Sequence, residues 1–149
     1  MVGKITTQIF QMRLVVDTNI IFSMLLKKNS KEWSVILRED FEIFIPKFLV
    51  IEIFKHKEKI IKLSGFSEDE ILEMFYLILK YCAFFNEEDI GEEIEKQAFE
   101  LVKDIDQKDA VLVGSALALN AKLWSGDKKL INGLKHQHCD FIVQTKDLF

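Results

Sequence analysis

The stretch Met12-Arg13-Leu14-Val15-Val16-Asp17-Thr18-Asn19-Ile20 decides the fold. Met12 to Val16 reads as a short, mostly apolar strand that ends at Asp17. Thr18 and Asn19 follow as turn or helix-entry residues, and Ile20 to Lys27 reads as a helix. A buried strand running directly into a helix is the opening unit of an α/β chain. An acid placed at that junction lies where open α/β sheets bind ligands, in the crevice beyond the carboxyl ends of the strands.

Working outward, the pattern repeats with variations. Ser30 to Asp40 reads as a helix opened by a serine cap, and Phe41 to Ile45 alternates as a strand that Pro46 terminates. Lys47 to Leu63 is expected as one helix, with Glu52 in its early turns and Gly65 as its stop signal. Ser67 and Glu70 form a capping box for a helix to about Lys80, whose apolar face carries Ile71, Leu72, Phe75, Ile78 and Leu79. Tyr81 to Phe85 follows as a strand. Acidic Glu87 to Glu95 opens a helix reaching Val102, and Asp106 and Asp109 begin another through Leu119. Lys122 to Ser125 and Phe141 to Val143 are the last strands, separated by a turn and a short helix. Strands alternating with helices imply a mostly parallel sheet covered on both faces, a three-layer α/β/α sandwich.

The chain has 149 residues, 49% of them apolar and 30% charged, enough for one domain with a substantial core. Because Met12 directly precedes the first convincing strand, residues 1–11 read as an extension from an upstream start and residues 12–149 as the domain. The first fifteen residues lack a signal-peptide core, and no run approaches the roughly 20 apolar residues that span a bilayer. The expectation is a soluble cytoplasmic protein. Cys82 and Cys139 lack CxxC spacing and read as reduced thiols in apolar segments. The fragment His136-Gln137-His138-Cys139 lacks a second ligand pair and reads as structural. His56, between Lys55 and Lys57, is expected on the outer face of its helix.

Net charge is −4, and only Arg13 and Arg38 among the 20 basic residues are arginines. Bidentate guanidinium recognition of phosphate is thus nearly unavailable, and phosphate chemistry must lean on lysines or metals. Lys27, Lys28, Lys55, Lys128 and Lys129 are the lysines expected near the crevice. The 13 phenylalanines read as core and subunit contacts rather than base-stacking platforms.

Four carboxylates stand where the elements would bring them to one crevice. Asp17 follows an apolar strand; a helix cap would also account for it. Glu52 interrupts Phe48-Leu49-Val50-Ile51-Glu52-Ile53-Phe54, where an ion pair with Lys55 or Lys59 is the plain alternative. Asp106 fits a cap, and Asp109 sits in a first helical turn that can project into the crevice. Asp127, in Ser125-Gly126-Asp127-Lys128-Lys129, could be a turn aspartate. Together these acids would repel one another without cations. Oxygen-only donors favour magnesium or manganese, and two such ions can activate water and stabilise the leaving oxygen of a phosphodiester displacement.

At these residues the chain resembles the PIN domain family, which includes toxin ribonucleases of the VapC type and RNA-processing nucleases. The resemblance rests on Val15 to Ile20, on Pro46 with Glu52, and on Asp109 through Leu123-Trp124-Ser125-Gly126-Asp127. It implies an RNA-cleaving, divalent-metal enzyme that leaves a 5′ phosphate, with Asp17, Glu52, Asp109 and Asp127 as ligands and Asp106 as an auxiliary one. Thr18, Asn19 and Ser125 resemble the polar residues that steady the first aspartate, Ser125 standing where threonine is commoner. A homodimer and an antitoxin or other inhibitor protein are the partners the resemblance implies. The competing readings are a non-catalytic RNA- or protein-binding module on the same fold and a receiver-type phosphoacceptor. The latter wants a paired early acid that the lone Asp17 does not supply.

Overall fold

The computed structural model describes residues 11–149; residues 1–10, most of the expected extension, lie outside the described residues. The first half of the chain runs β1 (Met12–Val16), α1 (Thr18–Leu26), α2 (Lys31–Ile36), β2 (Phe41–Pro46), α3 (Lys47–Lys55), α4 (Lys57–Ser64), α5 (Glu68–Tyr81) and β3 (Ala83–Phe85). It continues with α6 (Glu92–Val102), α7 (Ala110–Leu119), β4 (Lys122–Trp124), α8 (Lys128–His136) and β5 (Ile142–Val143). Short 3-10 turns occupy Glu87–Asp89, Gln107–Asp109 and Thr145–Leu148.

The five strands form one sheet in the order β3-β2-β1-β4-β5, and every pairing is parallel. This is the α/β sandwich that alternating strands and helices require. Side chains of period two split the core into two layers. Leu14 and Val16 of β1, Ile43 and Ile45 of β2 and Trp124 of β4 face a cluster with α1 to α5. Val15 and Leu123 face the opposite cluster, built on Val102, Leu112, Val113, Leu130 and Leu134 of α6, α7 and α8. Trp124 is fully buried, and its indole N–H donates to Thr145 Oγ1 at 3.0 Å, so the largest core side chain leaves no polar atom unpaired.

β1 is central. The chain leaves it first toward β2 and β3, then returns to add β4 and β5 on the other side. Between β1 and β4 the winding reverses, which opens a crevice at their carboxyl ends. Asp17 follows β1 directly, its N–H donating to Trp124 O at 2.9 Å, and Ser125-Gly126-Asp127 follows β4.

Several elements differ from the sequence expectation in extent. The helix expected over Lys47 to Leu63 is two, α3 and α4, broken at His56. The break lets α3 bury Leu49 and Ile53 beside the sheet while α4 turns away to seat Ile60. Gly65 still ends α4, at φ 75, in the left-handed conformation that favours glycine. The helix expected to Asp40 stops at Ile36, two residues before Arg38. Its guanidinium pairs with Asp40, reaches the carbonyl of Leu148 and lies 4.5 Å from the Phe41 ring centroid. The helix expected from Glu87 begins at Glu92, after Ile90 has been buried against Gly114 of α7. The capping box of Ser67 and Glu70 forms as its sequence requires.

Cys82 and Cys139 are partly buried and form no disulfide among the described residues. The segment His136 to Cys139 closes α8: His138 turns left-handed at φ 63, and Cys139 N–H returns to Leu134 O at 3.0 Å. Among the described residues, no helix is long and apolar enough to cross a membrane.

Candidate metal centre

The crevice beyond β1 and β4 has a volume of about 400 Å³, and Asp17, Glu52, Asp106, Asp109 and Asp127 all line it. Three helical segments begin there: α1 after Asp17, the turn leading into α7 after Asp106, and α8 after Asp127. Each start of an α-helix presents unpaired N–H groups and a positive dipole end, which offsets part of the acid charge.

Asp17 is only 7% exposed. Ser125 Oγ donates to its Oδ2 at 2.6 Å, and Asn19 Nδ2 approaches the same oxygen at 3.4 Å. The two supports are themselves held. Ser125 Oγ accepts from Asp127 N–H at 3.0 Å, and Asn19 Oδ1 accepts from Gly126 N–H at 3.2 Å. These bonds tie the end of β1 to the end of β4. Burial raises the Asp17 pKa; the Ser125 hydroxyl and the amides of Thr18 and Asn19 pull it back, and the charge of Asp127 raises it further.

Asp109 is pushed up to about 7, first by burial and then by the charges of Asp17, Asp106 and Asp127; Lys129 acts in the opposite direction. Its Oδ2 is buried without a hydrogen-bond partner among the described residues. Asp106 caps its turn through Lys108 N–H at 3.0 Å, as its sequence position suggests. Asp127 also caps, Oδ1 accepting from Lys129 N–H at 3.0 Å and Leu130 N–H at 3.3 Å. Glu52 is half-buried and, among the described residues, pairs with neither Lys55 nor Lys59. The plain alternative for Glu52 is therefore not realised, whereas those for Asp106 and Asp127 are, alongside their position in the crevice.

A family model described as PIN domain matches residues 15–146. The chain belongs to the PIN domain family. The fold agrees with solved structures. A chain in the crystal structure of VapBC2 from Rickettsia felis, bound to a DNA fragment from their promoter, superposes with a TM-score of 0.61 at 15% identity, covering 89% of this chain and 97% of that one. A chain of a toxin–antitoxin complex from Klebsiella pneumoniae gives 0.60 at 15% identity with the same coverage. No curated protein matches the sequence.

The donor set of this PIN domain suits a hard divalent cation: the crevice acids offer oxygen only, and one buried oxygen of Asp109 has no partner among the described residues. Among the described residues, no three acidic, histidine or cysteine side chains already stand at the spacing of a closed metal shell. The acids line a common wall without touching.

Four further residues line the crevice and were not singled out in the sequence: Lys108, Phe22, Phe48 and Leu112. Lys108 was the most findable, lying between Asp106 and Asp109. Conversely, Lys28 is drawn away from the site, pairing with Glu70 at 2.8 Å and lying over the Phe66 ring. Lys27 caps the far end of α1, about 15 Å along the helix from Asp17. His56 is exposed, as expected, and its ring packs against Phe22 with centroids 5.7 Å apart.

Proposed function

We propose that this PIN domain is a divalent-metal-dependent ribonuclease in which Asp17, Glu52, Asp109 and Asp127 hold magnesium or manganese and Asp106 assists. PIN domains are typically metal-dependent nucleases. The observation that carries the reading for this chain is Asp109: a buried oxygen with no partner, in a carboxyl whose ionisation neighbouring acids oppose. A cation relieves both penalties at once.

A bound divalent ion supplies Lewis-acid polarisation of a phosphoryl oxygen and a lowered pKa for attacking water. The chain's own residues fix where that chemistry happens. Ser125 and Asn19 lock the orientation of Asp17, and the caps of Asp106 and Asp127 anchor their loops at the crevice wall. Lys108, on the lining, and Lys129, close enough to lower the Asp109 pKa, supply positive charge for an RNA backbone where arginine is scarce.

The solved likenesses include a toxin–antitoxin complex, and this domain exposes Phe54 (73%), Leu72 (63%) and Tyr76 (62%) on α3 and α5. We extend the proposal to an antitoxin-type protein partner or a homodimer on such surfaces; the sedimentation coefficient of the purified chain distinguishes a self-associated form. The enzymatic reading is tested by incubating wild type, Asp17→Asn and Asp109→Asn with varied RNAs in manganese, magnesium or EDTA. Cleavage by wild type that needs the ion and is lost in both variants is expected. No metal-dependent cleavage across varied RNAs contradicts it and leaves a non-catalytic module.

A further inference from the structure

Phe22 and Phe48 are the aromatic lining of the acidic crevice. They come from neighbouring helices, α1 and α3. On α1, Thr18 and Phe22 are four apart, and on α3, Phe48 and Glu52 are four apart, so each ring shares a helix face with a crevice residue of the acidic site. Both rings are partly buried, Phe22 in the core layer of α1 to α5 and Phe48 in the layer of α6 to α8. The rim of the crevice thus receives an aromatic ring from each core layer. The Phe22 ring also makes a tilted contact with His56, at 58° between planes. Leu112, 3% exposed, adds apolar surface to the same lining.

Each ring packs against its core layer and also meets the charged wall. Here two rings share a cavity of about 400 Å³ with five carboxyl groups and Lys108. With a divalent cation held by the carboxylates, a ligand matching that surface carries a flat apolar face for the rings and an anion for the cation, the chemistry of a nucleotide. Base–aromatic stacking tolerates sequence variation because every base has a π-face.

We propose that Phe22 and Phe48 form the seat for one unpaired base of the RNA substrate, with its phosphate turned toward the cation that the carboxylates would hold. This rests on the nuclease reading above and deepens it, making the two rings determinants of specificity for a nucleotide outside a duplex. A base held in a helical stack cannot present its face to the rings.

The test reads binding separately from cleavage. Fluorescence anisotropy of a labelled single-stranded RNA dodecamer, and of the same strand in a duplex, is measured in magnesium with the Asp17→Asn protein as parent. Adding Phe22→Leu or Phe48→Leu is expected to weaken single-strand binding about tenfold for each ring, while Phe→Tyr at either site stays within about threefold of the parent. Duplex binding is expected to be weak and unchanged. A dodecamer scanned with abasic nucleotides needs no change to the protein, and one abasic position should reproduce the loss. Leucine variants that bind like the parent, equal losses for single strand and duplex, or an abasic scan without effect would each overturn the base seat. Wild-type cleavage of duplex and single strand at equal rates overturns it while leaving the nuclease reading intact. Ring-dependent single-strand binding without any wild-type cleavage supports the seat and removes the nuclease reading.

Discussion

Ser125 Oγ lies 2.6 Å from Asp17 Oδ2, joining residues 108 positions apart, and the same hydroxyl accepts the Asp127 N–H at 3.0 Å. One buried serine thus fixes the acid after β1 and the loop after β4. In Ser125→Ala, Asp17 loses its shortest donor and the Asp127 amide loses its acceptor. A loss of about 1–3 kcal/mol in urea unfolding is expected, together with weaker manganese binding. Ser125→Thr keeps the hydroxyl and should restore the metal affinity even where its extra methyl costs stability. An alanine variant as stable and as metal-competent as wild type would show that the bond has no such role.

Asp109 sets a pH dependence whose sign follows from its shift. It ionises at about 7 in the fold against an ordinary 3.8. Between those values an unfolded chain has released a proton that the native state still holds, so this group makes stability fall as pH rises from about 4 to 7. Asp109→Asn removes the dependence. In EDTA, the variant should melt like wild type near pH 4 and about 3 °C higher at pH 8, corresponding to about 1 kcal/mol once solvent screening of the half-buried group is discounted. A variant that melts lower than wild type at pH 8 would argue against the repulsion.

Manganese affinity should carry the same signature in the opposite direction. Binding requires the deprotonated ligand, so isothermal titration should show affinity rising about tenfold per pH unit up to about 7 and levelling above it. Added manganese should raise the melting temperature of wild type, and EDTA should reverse the gain. Affinity that does not change between pH 5 and 7 would separate Asp109 from the ion.

Gly133 marks a packing limit between α8 and the segment before Asp106. A Cβ built there would meet Ile105 Cδ1 at 2.4 Å and Cγ1 at 2.7 Å. Gly133→Ala should destabilise the protein by about 1–3 kcal/mol, and adding Ile105→Val should recover part of the loss. Circular dichroism melts of the single and double variants check this, and additive losses would show that the two positions are uncoupled.

Much of this organisation is legible in the sequence, for identifiable reasons. Leu14-Val15-Val16 followed by Asp17 sets a buried parallel strand and its crevice-facing end through local pattern alone. Ser67 with Glu70 states its own capping box. The break at His56 is not legible, because neither proline nor glycine marks it and α4 diverges only to seat Ile60 in a tertiary core. The contact of Arg38, beyond the end of α2, with the carbonyl of Leu148, 110 positions away, is likewise not legible. Within the crevice, the acids and the Ser125 hydroxyl stand out by residue type and position. Phe22 and Phe48 do not, since among so many phenylalanines only the folded backbone shows which two face the acids.

The central claim is that Asp17, Glu52, Asp109 and Asp127 form one cation site. Anomalous scattering from a manganese-soaked crystal tests it most directly. The account predicts manganese in the crevice beyond β1 and β4, with Asp17, Asp109 and Asp127 among its ligands and Glu52 bound directly or through water. Manganese absent from that crevice at saturating concentration, or bound only elsewhere on the molecule, would contradict it.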